Sequence, residues 1–295
     1  MADQTTIAIL HPGQMGTAVA RQLRGNDVDV LWLPEGRSPA TRERAETAGL
    51  RPAGSMAELV AQSAVIFSIC PSDAVEAVAE SVAEHGFSGI YVDANAVAPE
   101  RVGQVAKTIA ANGATVVDGG LLGASIAEKR FYLAGPADAV AVVTRLFAGT
   151  TVRAIPLNDE VGTASALKVA FALWQKGVRA LAAVSYALAE HYEVTDRLRT
   201  EAETEAEAET KRTGRSPLSD PAGFLLPAAT RGWRWELEME EISSTLATAG
   251  LPGGLPRAAA EIFTRWAGFR DRPDGDLAEA VSLLHDAVST EARPA

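Results

Sequence analysis

Short apolar runs recur through the first half of the chain, spaced so that each gap leaves room for a helix. The runs are TTIAIL (5–10), VDVLWL (28–33), VIFSI (65–69), GIYVDA (89–94), ATVVDG (114–119), RFYLAG (130–135) and TVRAIP (151–156). They are rich in Val, Ile and aromatic residues and are bounded by Gly, Pro, Asp or Asn, as strands are. Segments such as 14–24, 72–84, 98–112 and 136–148 lie between them, with Ala, Glu, Arg and Leu at helical spacing. This alternation predicts a doubly wound α/β domain, a largely parallel sheet with helices on both faces.

The pattern changes at Asn158. From there the chain reads as helices separated by Pro and Gly breaks at 214–217, 220–223, 250–256 and 271–275. The longest helix is predicted to start near Asn158 or Asp159, a natural N-cap, and to run to about Glu190. The expected division is therefore an α/β domain over 1–157 and an all-α domain over 158–295. The biased run EAETEAEAET (201–210) reads as a solvated helix face.

Composition narrows the function classes. At 295 residues, 47% hydrophobic and 22% charged, the chain can bury the core of a soluble globular protein. Its net charge of -11 argues against nucleic-acid binding. The single cysteine, Cys70, excludes a disulfide framework and a cysteine zinc cluster. Together with an N-terminus that lacks the basic start and long apolar core of a signal peptide, it makes a cytoplasmic location the expectation. The apolar stretch 164–189 is interrupted by Lys168, Lys176 and Arg179, which suits a buried helix better than a membrane span. His11, His85, His191 and His285 are too scattered to predict a metal site.

The first run leads into IAILHPGQMG (7–16), a degenerate glycine-rich turn. A dinucleotide loop uses one glycine for a tight turn, a second for backbone approach to the pyrophosphate and a third for helix packing. Gly13 and Gly16 supply the last two, and His11 stands at the first. Pro12 biases His11 toward extended geometry, so no positive φ is needed there. Gln14 and Met15 open the following helix, whose N–H groups can face a phosphate. A plain strand-to-helix turn is the alternative reading of the motif alone.

The end of the second run discriminates between cofactors. LPEGRSPATRER offers Glu35 for ribose hydroxyls, but also Arg37, Ser38, Arg42 and Arg44 for a 2′-phosphate. NADP is the expected cofactor, ahead of NAD. Later strand ends add Cys70, Pro71 and Ser72, and then Asn95, as borders of the ribose and nicotinamide. Ser72 and Asn95 could equally be helix caps. Cys70 reads as a small filler, not a nucleophile.

On the long predicted helix, Lys168, Gln175, Arg179 and Tyr186 are spaced 7, 4 and 7 apart. At about 100° per residue they fall on nearly one line, which faces either solvent or a cavity. Lys168 lies near the expected domain boundary, where two-domain dinucleotide enzymes bind substrate. An amine there can give a proton to, or take one from, the heteroatom of a carbonyl, hydroxyl or imine as hydride moves. Lys168 is thus the candidate general acid/base. Trp174, Trp233 and Trp235 are candidate apolar walls or core, and Glu238 and Glu241 share one helix face.

With LHPGQMG (10–16), GRSPATRERAETAGL (36–50), DANAVAPE (93–100), GTASALKVAFALWQKG (162–177), RWELEMEEI (234–242) and AGLPGG (249–254), the chain resembles the β-hydroxyacid dehydrogenase superfamily. The resemblance is to the branch with a 6-phosphogluconate-dehydrogenase-like, Rossmann-type NAD-binding domain and an all-helical C-terminal dimerisation domain. It implies NAD(P)-dependent oxidoreduction of a small substrate, a catalytic lysine at Lys168 and a homodimer. The superfamily's substrate motif reads roughly D-x-P-x-S-G-G, whereas residues 118–124 read DGGLLGA, with Leu122 in place of the serine and Gly123 following. The asparagine expected one turn after the lysine is Ala172. Leu122, Gly123, Ser125, Trp174 and Gln175 are the expected substrate contacts, and the less polar pocket leaves imine reduction open beside hydroxy or carbonyl chemistry. A dinucleotide-binding protein without turnover is the alternative of another class.

Overall fold

The computed structural model describes residues 5–26, 28–123, 129–212, 220–270, 272 and 275–285. By contacts the chain forms two compact units, Met1–Gln175 and Lys176–Ala295. The strands are β1 (Thr6–Ile9), β2 (Asp29–Trp32), β3 (Arg51–Pro52), β4 (Val65–Ser68), β5 (Ile90–Asp93), β6 (Thr115–Leu122), β7 (Arg130–Ala134) and β8 (Arg153–Pro156). Helices α1 (Gln14–Arg24), α2 (Pro39–Thr47), α3 (Met56–Gln62), α4 (Val75–Glu84), α5 (Pro99–Ala110) and α6 (Ala137–Leu146) lie between them. Then follow α7 (Thr163–His191), α8 (Thr195–Arg212), α9 (Pro221–Thr248), α10 (Gly254–Arg265) and α11 (Leu277–Ser282).

The strands form one sheet in the order β3-β2-β1-β4-β5-β6-β7-β8. Every neighbouring pair is parallel except β6 and β7. The connection 123–129 is too short for a crossover helix, so β7 returns antiparallel. The strand order reverses between β1 and β4, the switch point at which open α/β sheets bind ligands beyond their carboxyl ends.

Alternation along each strand builds two cores. Ile7 and Ile9 of β1 and Val65 and Phe67 of β4 pack on one face, with Val92, Phe131 and Phe147. Ala8, Leu10, Ile66 and Tyr91 pack on the other, with Val82, Val102 and Val105. Both faces are covered, so the runs read as continuously apolar. Each fully buried Val, Leu, Ile or Phe contributes about 1.5–3 kcal/mol. The rings of Phe131 and Phe147 meet edge to face at 5.4 Å, a geometry their quadrupoles favour.

All seven apolar runs form strands. The eighth strand, β3, was not among them: it is two exposed residues at the sheet edge, paired as Leu31 with Arg51 and Trp32 with Pro52. Pro is tolerated there because an edge strand has an N–H position that needs no partner.

The helix expected from Asn158 or Asp159 begins later, at Thr163. Asn158 Oδ1 accepts from Glu160 N at 3.2 Å, and the Asn158 carbonyl accepts from Gly135 N at 2.9 Å. Asn158 therefore stabilises a turn, and Gly162, at φ +110°, precedes the helix. In the second unit, Asp220 caps α9 through Gly223 N and Pro221 occupies its first turn. The break expected at 220–223 is thus a helix start, and that at 214–217 lies outside the described residues. Residues 201–208 of the acidic run are exposed along α8. The core of this unit centres on Trp266, whose indole N–H donates to the Ala280 carbonyl at 2.8 Å.

Candidate functional site

The turn after β1 is built from backbone. Gly13 N donates to the His11 carbonyl at 2.9 Å, and Thr17 Oγ1 donates to the Pro12 carbonyl at 2.8 Å. A Cβ on Gly16 would lie 2.3 Å from the His11 carbonyl oxygen, so only glycine lets α1 lie this close to the turn. A Cβ on Gly13 would meet nothing within 4 Å and would project into open space. Gly13 is also the N-cap residue of α1, where no side chain accepts from the helix and no acidic residue occupies the first turn. The unpaired N–H groups and positive end of α1 are thus left for an external anion.

That open space is a cavity of about 430 Å³. His11, Gly13, Gln14, Met15 and Gly16 line one side, Gly36, Arg37, Ser38 and Thr41 a second, and Ile69, Cys70 and Pro71 a third. It lies beyond the carboxyl ends of β1, β2 and β4, around the switch point. Among the described residues no carboxylate lines it, and Glu35 is exposed outside it. His11 Nδ1 and Arg37 Nε are buried with no hydrogen-bond partner among the described residues. Burial, reinforced by the Arg37 cation, lowers the His11 pKa to about 4, so its imidazole is neutral near pH 7. A phosphate-bearing ligand would satisfy this donor set of a helix N-terminus, a guanidinium and small hydroxyls.

Among the expected cofactor contacts, Ser38 and Cys70 line the cavity, whereas Arg42 and Asn95 support it from behind. Ser38 caps α2, its Oγ accepting from Thr41 N at 3.3 Å. Arg42 Nε donates to the Arg37 carbonyl at 3.2 Å, which braces the Arg37 turn from outside the cavity lining. The Cys70 thiol is half-buried, and burial pushes its pKa up, consistent with a filler and not a thiolate. Asn95 is buried, and its Oδ1 accepts from Cys70 N at 2.7 Å. It therefore shapes the cavity by holding the Cys70 loop.

Lys168, on the first turns of α7, is half-buried. Its Nζ donates to the carbonyls of Ala94 and Asn95 at 3.2 and 3.1 Å. The amine thus sits at the end of β5, on the residue that also holds the Cys70 loop.

Sequence reasoning missed the device that places it. The buried Asp118 carboxylate of β6 accepts from Gly162 N (2.9 Å), Ser165 N (3.0 Å) and Ser165 Oγ (2.6 Å), capping α7 across the fold. Beside it, a Cβ on Gly120 would lie 2.7 Å from the Ala164 carbonyl oxygen. The Asp-Gly-Gly of DGGLLGA therefore seats α7 against the sheet. Its signal in the sequence was an acidic residue ending an apolar run and followed by two glycines.

Leu122 and Gly123 are half-buried at the end of β6, and the Gly123 carbonyl accepts from the buried Lys129 ammonium. Ser125 lies outside the described residues. Trp174 and Gln175 are half-buried on α7, whereas Tyr186 is exposed; the Arg179 side chain also lies outside the described residues. Trp235 packs edge to face on Phe263 in the helical unit, and Arg270 stacks over Trp233. Glu238 and Glu241 are exposed.

The family described as the NAD-binding domain of 6-phosphogluconate dehydrogenase matches residues 6–154, half of the chain. The chain belongs to that family. By this membership it is an NAD(P)-dependent oxidoreductase. A domain of unknown function (DUF1932) matches residues 189–266. No curated protein sequence matches. Among solved structures, the Streptomyces aurantiacus imine reductase is 17% identical with a TM-score of 0.70, covering 96% of this chain and 100% of its own. The Aspergillus terreus reductive aminase in complex with NADPH and ethyl levulinate is 18% identical, TM-score 0.71, covering 95% and 99%. A Myxococcus stipitatus imine reductase variant in complex with NAD+ is 16% identical, TM-score 0.69, covering 95% and 99%. At these identities the likeness is one of fold. Among the described residues, no helix is long and apolar enough to cross a membrane, and no cluster of His, Cys, Asp and Glu is placed to hold a metal.

Proposed function

We propose that the protein is an NADP-dependent reductase or dehydrogenase of a small carbonyl or hydroxy compound, with Lys168 as general acid/base. The observation that carries the reading is the Lys168 amine at the end of β5, held by Ala94 and Asn95, with Asn95 also holding the cavity loop at Cys70. When bound, the dinucleotide supplies or accepts the hydride. Gly13, Gln14, Met15 and Gly16 would hold its pyrophosphate. Arg37 and Ser38 would take the 2′-phosphate, with Arg42 bracing their turn. The absence of a carboxylate from the lining favours NADP over NAD. Lys168 would donate a proton to the substrate heteroatom in reduction and accept one in oxidation.

Imine reduction is the second reading. It is supported by the imine reductases and reductive aminase among the similar folds and by Leu122 at the position where the superfamily carries a polar substrate contact. Leu122, Gly123, Ser125, Trp174 and Gln175 are the proposed substrate contacts. A homodimer completes the proposal. The exposed apolar side chains Leu173 (75%), Leu181 (52%) and Leu237 (52%) on the long helices support it, because large exposed apolar surface marks interaction faces. Oxidation of NADPH and of NADH by a panel of ketones and cyclic imines, together with reduction of NADP+ and of NAD+ by hydroxy acids, tests the function. The proposal expects turnover with a carbonyl or imine compound and faster use of NADPH. If no compound in the panel turns over with either cofactor, the protein is a dinucleotide binder instead.

A further inference from the structure

Beside Lys168 lies an acidic group for which neither the family match nor the proposed chemistry has a use. Asp93, the last residue of β5, is fully buried. Its Oδ1 accepts from Asn95 N at 3.0 Å and from Asn95 Nδ2 at 2.9 Å. Its Oδ2 is buried with no hydrogen-bond partner among the described residues. Asn95 Nδ2 also reaches Ser68 Oγ at 3.0 Å, and Asn95 Oδ1 takes the Cys70 N–H. One carboxylate thus sets the conformation of the residue whose side chain holds the cavity loop and whose carbonyl, with that of Ala94, holds Lys168.

We propose that Asp93 is a positioning residue that fixes Lys168 through the backbone of Ala94 and Asn95 and acts as its buried counter-charge. An isolated buried carboxylate is unfavourable without a compensating charge. The groups acting on it come from every side: Asp118 of β6 opposes its ionisation and Lys168 of α7 favours it, while Tyr91 of its own strand, Cys70 after β4 and Arg101 of α5 also feel its field. Burial dominates and brings its pKa up to about 6. Lys168 is the cation that the same carbonyls hold beside it. The charges of the two groups are therefore coupled, and a change in one is felt by the other.

The inference rests on Lys168 being the proton carrier, but its test needs no substrate. Trace labelling with acetic anhydride at pH 8, read by peptide mass spectrometry and normalised to the exposed Lys107, reports how tightly the Lys168 amine is held. Asp93→Asn should raise Lys168 labelling about threefold or more, because loss of the counter-charge and of the fixed carbonyls both free the amine. An unchanged ratio in a folded variant overturns the proposal. Should Asp93→Asn fail to fold, Lys168→Met provides the reciprocal measurement. The Asp93 carboxyl titration, followed by 13C NMR, should move up by about half a unit or more when the ammonium is removed. An unmoved midpoint overturns the coupling. If both shifts occur but the wild type reduces no carbonyl or imine compound, the proposed activity fails and the positioning role stands.

Discussion

Ser165 Oγ donates to Asp118 Oδ1 at 2.6 Å, across 47 residues of sequence, and this contact sets where α7 begins. The same carboxylate takes the N–H groups of Gly162 and Ser165. Lys168 follows within one turn, so its position beside β5 is inherited from this cap. Asp118→Ala should cost about 2–3 kcal/mol, since it strands buried donors and removes a charged cap. The expected result is a lower urea midpoint together with loss of reductase activity. Asp118→Asn, which keeps one acceptor, should be milder in both.

The two glycines of the first turn should separate folding from binding. Gly16→Ala places a Cβ against the His11 carbonyl oxygen, so the turn or α1 must shift, at about 1–3 kcal/mol. Gly13→Ala places its Cβ in open cavity. It should leave the melting temperature near wild type and weaken NADPH binding. Thermal melts and fluorescence titrations with NADPH on the two variants check this.

The pattern of apolar runs made the sheet and its connections legible, because strands buried on both faces leave continuous Val and Ile segments. The cavity was legible to the same extent: Gly13, Gln14, Met15, Gly16, Arg37, Ser38, Cys70 and Pro71 line it together. What escaped depended on distant partners. Asn158 has the chemistry of an N-cap, yet the cap of α7 comes from Asp118 on a strand. Asp93 passed as the end of an apolar run, since only the fold shows how its carboxylate fixes Asn95. β3 is too short and polar to leave a pattern.

Arg37 should carry cofactor choice. Charge-assisted hydrogen bonds contribute about 1.5–3 kcal/mol. Arg37→Ala should therefore weaken NADPH binding by about 10–100-fold and leave NADH binding within a few-fold. Equal loss for both cofactors would place Arg37 away from the 2′-phosphate.

Two buried groups should give opposite pH signatures. The His11 pKa is lowered from 6.5 to about 4, so its stabilising effect is present above pH 6.5 and is lost as pH falls through about 4. The Asp93 pKa is raised from 3.8 to about 6, so its stabilising effect is full below pH 3.8 and is lost as pH rises through about 6. Denaturant unfolding between pH 4 and 7 should show the wild type losing stability relative to His11→Asn as the pH drops. Relative to Asp93→Asn it should gain over the same interval. Parallel curves for the two variants would contradict both assignments.

The central claim is that Lys168 carries the proton and does not hold the dinucleotide. The direct measurement is Lys168→Met, assayed for NADPH affinity by fluorescence and for single-turnover reduction of the compound that the wild type reduces fastest. The account predicts NADPH affinity within about threefold of wild type and a reduction rate lower by about 10²–10⁴-fold. A variant that reduces substrate at the wild-type rate would remove Lys168 from the chemistry and contradict the account.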